Sequence, residues 1–230
     1  METQVIQYRF QLPDKSWEDF KLELNTLDLE LKNNVPENLP SWTKLDFHQC
    51  SNCPLEVVTR PHCPLAANIV NVVQRFDGLI SYDKVKVDVI TEERRISQET
   101  TVQKGISSIM GLVIATCGCP HTAYFKPMAR FHLPLASEEE TIFRATSMYL
   151  LAQYYLKKEY RIADFEFEGL TRIYRNMQIV NFAIAERLRA ATMTDSSINA
   201  IILLDSYAQT LPLAIEKSLK EIRHLFSPFL

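Results

Sequence analysis

At 230 residues, with 47% hydrophobic, 10% aromatic and 23% charged residues, the chain has the composition of a folded globular protein, long enough to bury a shared core without a disulfide scaffold. Its 25 Lys and Arg against 28 Asp and Glu give a formal charge of −3, spread as −4 over residues 1–60, +1 over 61–160 and 0 over 161–230. No segment carries the strong positive field of a nucleic-acid binder, and the longest apolar run, Ile109 to Cys119, falls far short of the ~20 residues that cross a bilayer.

Along the first third of the chain the period is that of strands. Val5, Tyr8, Phe10 and Leu12 partly alternate, Pro13-Asp14-Lys15 marks a turn, and Phe20, Leu22 and Leu24, then Leu27, Leu29 and Leu31, alternate again. This predicts an antiparallel β-meander. Residues 33–41, with Pro36 and Pro40, read as a loop, and residues 43–47 as a further short strand delivering His48 and Cys50. Leu65, Ile69, Val72, Val73 and Phe76 share one stripe of a helix over 64–76, closed by Asp77-Gly78. Val85, Val87 and Val89 alternate with their neighbours, as a strand paired in a hairpin with residues 95–101 would. Ile106, Ile109, Met110, Val113 and Ile114 then predict a helix over 101–116 that ends near Gly118.

The remainder reads as helical. Ser137-Glu138-Glu139-Glu140 is a capping box opening a helix to about residue 158. Leu170, Ile173, Met177, Val180, Ile184 and Leu188 form an apolar seam on a helix over 167–191, with Arg172, Arg175, Arg187 and Arg189 on its wet face. Ile198, Ile202, Ala208, Leu211, Ile215, Leu219 and Ile222 mark a last helix over 195–224, kinked by Pro212. Tyr149, Tyr154, Tyr155 and Tyr160 are expected in the core and at its rim. The fold class is therefore α+β: an N-terminal antiparallel meander with short helices, followed by a helical C-terminal half. Residues 1–135 form the mixed portion and 136–230 the helical one, packed together as one unit.

The chemical signal lies in the cysteines. Cys50-Ser-Asn-Cys53 can turn two sulfurs towards one ion, and Cys63 and Cys119 are the candidates to complete a tetrahedron. His121 is an alternative fourth ligand. Cys117 is better placed as a packing residue at a helix end, and His48 and His62 as groups around the ligands. Cys53, Cys63 and Cys119 are each followed by proline, which stiffens the loop holding the sulfur. Four thiolates suit a structural zinc ion, and an iron–sulfur cluster is the alternative on the same residues. Haem binding, thiol redox chemistry and simple burial of small apolar side chains complete the possibilities. The segment from Tyr124 to His132 sets two cations among aromatics, where an anionic ligand or partner could bind; the ordinary role of such a segment is a loop with its aromatics in the core.

No phosphate-cradling glycine loop, nucleophile elbow or His-Glu-x2-His helix occurs, so kinase, dehydrogenase, serine-hydrolase and zinc-protease readings fall, and an iron–sulfur or thiol-based redox enzyme or sensor is the alternative to a structural metal site. Met1 to Phe10 lacks the pattern of a secretory signal, and five cysteines outside an oxidising compartment are expected as thiols or ligands, which suits the cytoplasm. A protein partner or a second copy could use the C-terminal helices; neither nucleic acid nor membrane is indicated.

His48-Gln-Cys50-Ser-Asn-Cys53-Pro-Leu, Pro61-His-Cys63-Pro-Leu-Ala, Cys119-Pro-His121 and the stretch from Phe131-His-Leu-Pro to Tyr149-Leu-Leu-Ala-Gln together resemble an uncharacterised family of bacterial proteins, over nearly the whole chain. The resemblance implies a bacterial, cytosolic setting and no activity. It also implies that a cysteine at 117 is not required, which favours Cys119 as the fourth ligand.

Overall fold

Alternation of large apolar side chains builds the sheet. Ile6, Tyr8 and Phe10 on β1 (Thr3–Gln11), Phe20, Leu22 and Leu24 on β2 (Trp17–Asn25), and Val85, Val87 and Val89 on β4 (Lys84–Ile90) are all buried on one face. With β3 (Leu31–Lys32) and β5 (Arg95–Thr101) they form a five-stranded antiparallel sheet in the order β3-β2-β1-β4-β5. The computed structural model describes residues 3–32, 34–192 and 195–230, without the side chains of 207 and 210–218. The chain is α+β, with the sheet in its N-terminal part and a mostly helical C-terminal half. β1 is central because it pairs with β2 on one side and with β4, some eighty residues on, on the other.

The helices are α1 (Pro64–Phe76), α2 (Val102–Thr116), α3 (Lys126–Arg130), α4 (Glu138–Lys158), α5 (Glu168–Ala191) and α6 (Ser196–Ile222). α4 opens on the expected capping box: Glu140 N–H donates to Ser137 Oγ, and Ser137 N–H to Glu140 Oε2 at 2.7 Å. Gly105 lets α2 lie against the sheet, since a Cβ there would stand 2.8 Å from the Phe10 ring and 3.1 Å from Val87. One contiguous core joins the sheet face to α1, α2 and the seams of α5 and α6, which pack on each other. Among the described residues no helix is long and apolar enough to cross a membrane. The kink expected at Pro212 lies outside the described side chains.

Three expectations need correction. The third strand is only Leu31–Lys32, because Asn25 and Asp28 cap a turn through the N–H groups of Leu27 and Glu30, and Leu27 is exposed. Residues 43–47 are not a strand: a 3-10 turn at Ser41–Thr43 is followed by a single bridge between Lys44 and His62. The segment's carbonyls are taken by a side chain instead of a neighbouring strand, as described below. Finally, Tyr124 to His132 is not a loop but a 3-10 turn (Ala123–Phe125) running into α3. Phe125 packs edge-on against Tyr174, while Tyr124 and Phe131 face outward.

His132 at the end of that segment is pinned to β1. The buried Tyr8 hydroxyl is bonded to Ser108 Oγ at 2.8 Å and to His132 Nε2 at 2.6 Å. Burial holds the His132 pKa far below its ordinary value, at about 3, so the ring is neutral in the native fold. The unfolded chain protonates this ring from about pH 6.5 downward. Below that pH the unfolded state binds the extra proton, and stability is lost as pH falls towards 3. Relative to a His132→Gln variant, the wild type should lose about 1.4 kcal/mol per pH unit across this window, as read from urea denaturation midpoints at several pH values.

Candidate functional site

Three stretches of chain bring cysteines to one place. Cys53 N–H donates to the Cys50 carbonyl at 3.0 Å, closing Cys50-Ser51-Asn52-Cys53 into a turn. Cys63 is the N-cap of α1, followed by Pro64 in its first turn, and its N–H donates to Thr43 O at 2.8 Å. Cys119 follows α2 by way of Gly118, whose φ of 84° takes the chain out of the helix in a conformation that favours glycine. The Cys119 carbonyl then accepts from both the N–H and the hydroxyl of Thr122, each at 3.1 Å.

Side chains beside the cysteines lace these stretches together. A carbonyl can only accept, so His121 Nε2–H donates to Asn52 O at 2.7 Å, joining the Cys119 turn to the Cys50 turn. Asn52 Nδ2 in turn donates to Asn176 Oδ1 on α5 at 3.1 Å. The Thr43 hydroxyl donates to Pro40 O, so His62 Nδ1–H donates to Thr43 Oγ1 at 2.8 Å. His48, with a φ of 45°, stands edge-on to Phe47 beside a small groove shared with Cys50, Ile179 and Phe182. Cys117 points elsewhere: its buried thiol donates to Ile114 O at 3.1 Å, within α2's last turn. Its neighbour Thr122 Oγ1 lies 3.8 Å away.

Cys50 lies within electrostatic range of Cys63, Cys53 and Cys119, and Cys119 of Cys63 and Cys53; the buried Cys117 is in range of Cys119 and Cys63 as well. Burial first, then the neighbouring Cys63, Cys53 and Cys119, push the Cys50 thiol up to about 12. Cys119 is likewise raised by burial, against the opposing N–H of His121. Both are therefore neutral thiols in the absence of a bound cation. Among the described residues no three His, Cys, Asp or Glu side chains stand at the mutual spacing of a coordination sphere. The thiols are thus neighbours, but not closed onto a point.

Arg187 is the residue that the sequence did not mark. It was expected on the wet face of α5 with Arg172, Arg175 and Arg189; those three are exposed, whereas Arg187 is only 1% exposed. Its guanidinium donates to the carbonyls of Trp42 at 2.8 Å, Lys44 at 2.6 Å and Leu45 at 3.0 Å, the last two being acceptors that a strand over 43–47 would have given to a neighbour. Its Nε–H is buried without a partner. No carboxylate forms an ion pair with it among the described residues; the groups whose ionisation would favour its charge are the thiols of Cys63, Cys50 and Cys53 and the Asp46 carboxylate. Desolvation is the largest influence on it and works against its charge. A signal was present in the sequence, because Arg187 falls three residues after Ile184 and seven after Val180, on the buried stripe itself.

A family model described as a domain of unknown function (DUF6901) matches residues 6–227, and the chain belongs to that family. Neither the curated proteins nor the solved structures contain a match.

Replacing Arg187 with Met should leave the carbonyls of Trp42, Lys44 and Leu45 without their donor. At about 1–3 kcal/mol for each buried group left unsatisfied, the loss should exceed about 3 kcal/mol in urea denaturation, and Arg187→Lys should recover only part of it.

Proposed function

We propose that this member of the family is a bacterial, cytoplasmic metal-binding protein in which Cys50, Cys53, Cys63 and Cys119 hold one zinc ion as a structural staple. The observation that carries the reading is Arg187. A guanidinium 1% exposed, with an orphaned Nε–H and no direct ion pair, has only the Asp46 carboxylate in electrostatic range as long as the surrounding thiols are neutral, and is incompletely compensated. Four thiolates on a divalent ion carry a net charge of −2, and that charge supplies what Arg187 lacks. The N-terminus of α1, where Cys63 sits, adds a second positive pole on the same side of the balance.

Uptake of the ion would draw the thiols inward by side-chain rotation and small movements of the Cys50–Cys53 turn. The prolines after Cys53, Cys63 and Cys119 limit how far the backbone must be ordered to do so. His121 and His62, each committed to a hydrogen bond between segments, act in this reading as braces around the ligands, and Cys117 as a packing residue. The staple would fasten the 50–63 stretch to the end of α2 and, through Arg187, to α5. An iron–sulfur cluster on the same thiolates would satisfy Arg187 equally and is distinguished by composition. The five cysteines remain unpaired as disulfides, which suits a reducing compartment.

Contact with a protein partner belongs on α4 in this reading, because the seams of α5 and α6 pack on each other while Phe143, Leu151, Tyr154 and Tyr155 of α4 face outward.

Cys53→Ser tests the metal directly. It should reduce bound metal from one equivalent per chain to well below that, and lower the melting temperature by about 10 °C, at roughly 2–4 °C per kcal/mol for a chain of this size. A chelator should lower the wild-type melting temperature to that of the variant and leave the variant unchanged. Unaltered metal content and melting temperature in Cys53→Ser would remove the proposal.

A further inference from the structure

A cavity lies away from the cysteines' own loops, between α2, α3, α4, α5 and α6. It is partly open to the surface and has a volume of about 560 Å³, within the size range of small-molecule sites. Its walls are mostly apolar, with Leu112, Ile114, Met128, Met177, Leu203 and Leu204 contributing the larger side chains. Lys104, Glu138 and Glu140 also border it; of these Glu140 is occupied by the Ser137 N–H of the capping box.

Three polar side chains of a different kind reach this apolar space, and all three are donors. Arg144 spends one terminal nitrogen on the carbonyls of Met128 at 2.8 Å and Phe131 at 3.1 Å, and forms no ion pair among the described residues. Burial works against its charge. Tyr174 is 6% exposed, and its hydroxyl has no hydrogen-bond partner among the described residues. His132 closes a chain that starts at Leu135, whose N–H donates to Ser108 Oγ at 2.9 Å. With Ser108 donating to Tyr8 and Tyr8 to His132 Nε2, every hydroxyl proton finds an acceptor, and the neutral ring keeps its remaining proton on Nδ1. That Nδ1–H has no partner among the described residues.

A half-buried guanidinium with no direct ion pair, only the Glu140 carboxylate in electrostatic range, and two donors without protein partners at an apolar cavity suit an acceptor-rich anionic head on an apolar body. One guanidinium and two neutral donors match a carboxylate. A phosphate, with its higher charge and additional acceptor oxygens, would need more donors than these three.

We propose that this cavity binds a monocarboxylate with an apolar body of roughly ten carbons, seated with its carboxylate on Arg144, Tyr174 and His132. At roughly 30 Å³ per non-hydrogen atom such a molecule fills more than half of the space. The site is independent of the cysteine centre, and its binding does not require a metal.

Decanoate and decan-1-ol, both kept monomeric, are the probes, with isothermal titration calorimetry on the full chain as the measurement. Decanoate should bind once per chain and about tenfold or more tighter than decan-1-ol. Arg144→Gln should abolish that preference. Tyr174→Phe removes only a hydroxyl and leaves the ring against Phe125, so it tests the same point if Arg144→Gln does not fold. It should weaken decanoate about threefold and leave decan-1-ol unchanged. Leu204→Trp, which fills the cavity, should eliminate both. Absence of decanoate binding, equal affinity for acid and alcohol, or decanoate affinity untouched by Tyr174→Phe overturns the proposal.

Discussion

The hydrogen bonds of Arg187 are the constraint around which the cysteine region is organised. One guanidinium on α5 gathers three carbonyls, those of Trp42, Lys44 and Leu45, from a stretch that would otherwise need a β-partner. Because Leu45 N–H donates to Pro61 O and Cys63 N–H to Thr43 O, holding that segment also fixes the start of α1 and the Cys63 thiol. The intervening turn with Cys50 and Cys53 is then closed over α5 by Asn52 and Asn176, and over the end of α2 by His121. A single long side chain thus sets the positions of groups spread over more than a hundred residues of sequence.

The same side chain creates an electrostatic demand. Hydrogen bonds to carbonyls satisfy donors but not charge, and a guanidinium removed from water costs free energy that neutral thiols do not offset. The chemistry that meets the demand, thiolates stabilised by a bound cation, is also the chemistry that the cysteine spacing suggests on its own grounds. The cavity beside Arg144 repeats the theme with a different solution. There a second desolvated guanidinium faces apolar space instead of sulfur, and an organic anion is the complementary group. The two arginines, on neighbouring helices, divide the helical half between a fastening role and a binding one.

Local chemistry made much of the fold legible. The alternating valines of β4, the stripe of α1, the capping box at Ser137 and the glycine after α2 each act over a few residues, and each element stands where its signal lies. Their long-range arrangement was not legible: nothing in β1 says that it pairs with β4, because partner choice depends on which faces meet after collapse. The strand expected at 43–47 failed for a related reason, since the carbonyls of Lys44 and Leu45 are answered by a residue 143 and 142 positions away. Within the candidate site the sequence named the thiols from spacing alone. It missed Arg187 because charge was read as exposure, although the position lies on the buried stripe of α5. The donors around the cavity were equally hidden, as His132 was read within a loop and Tyr174 lay outside every motif.

Elemental analysis of the untagged protein, purified without oxygen, tests the central claim most directly. The account predicts one zinc per folded chain, the charge that makes four thiolates and Arg187 mutually stable. Folded protein free of any metal would contradict it, and would leave Arg187 as a charge held by carbonyls alone.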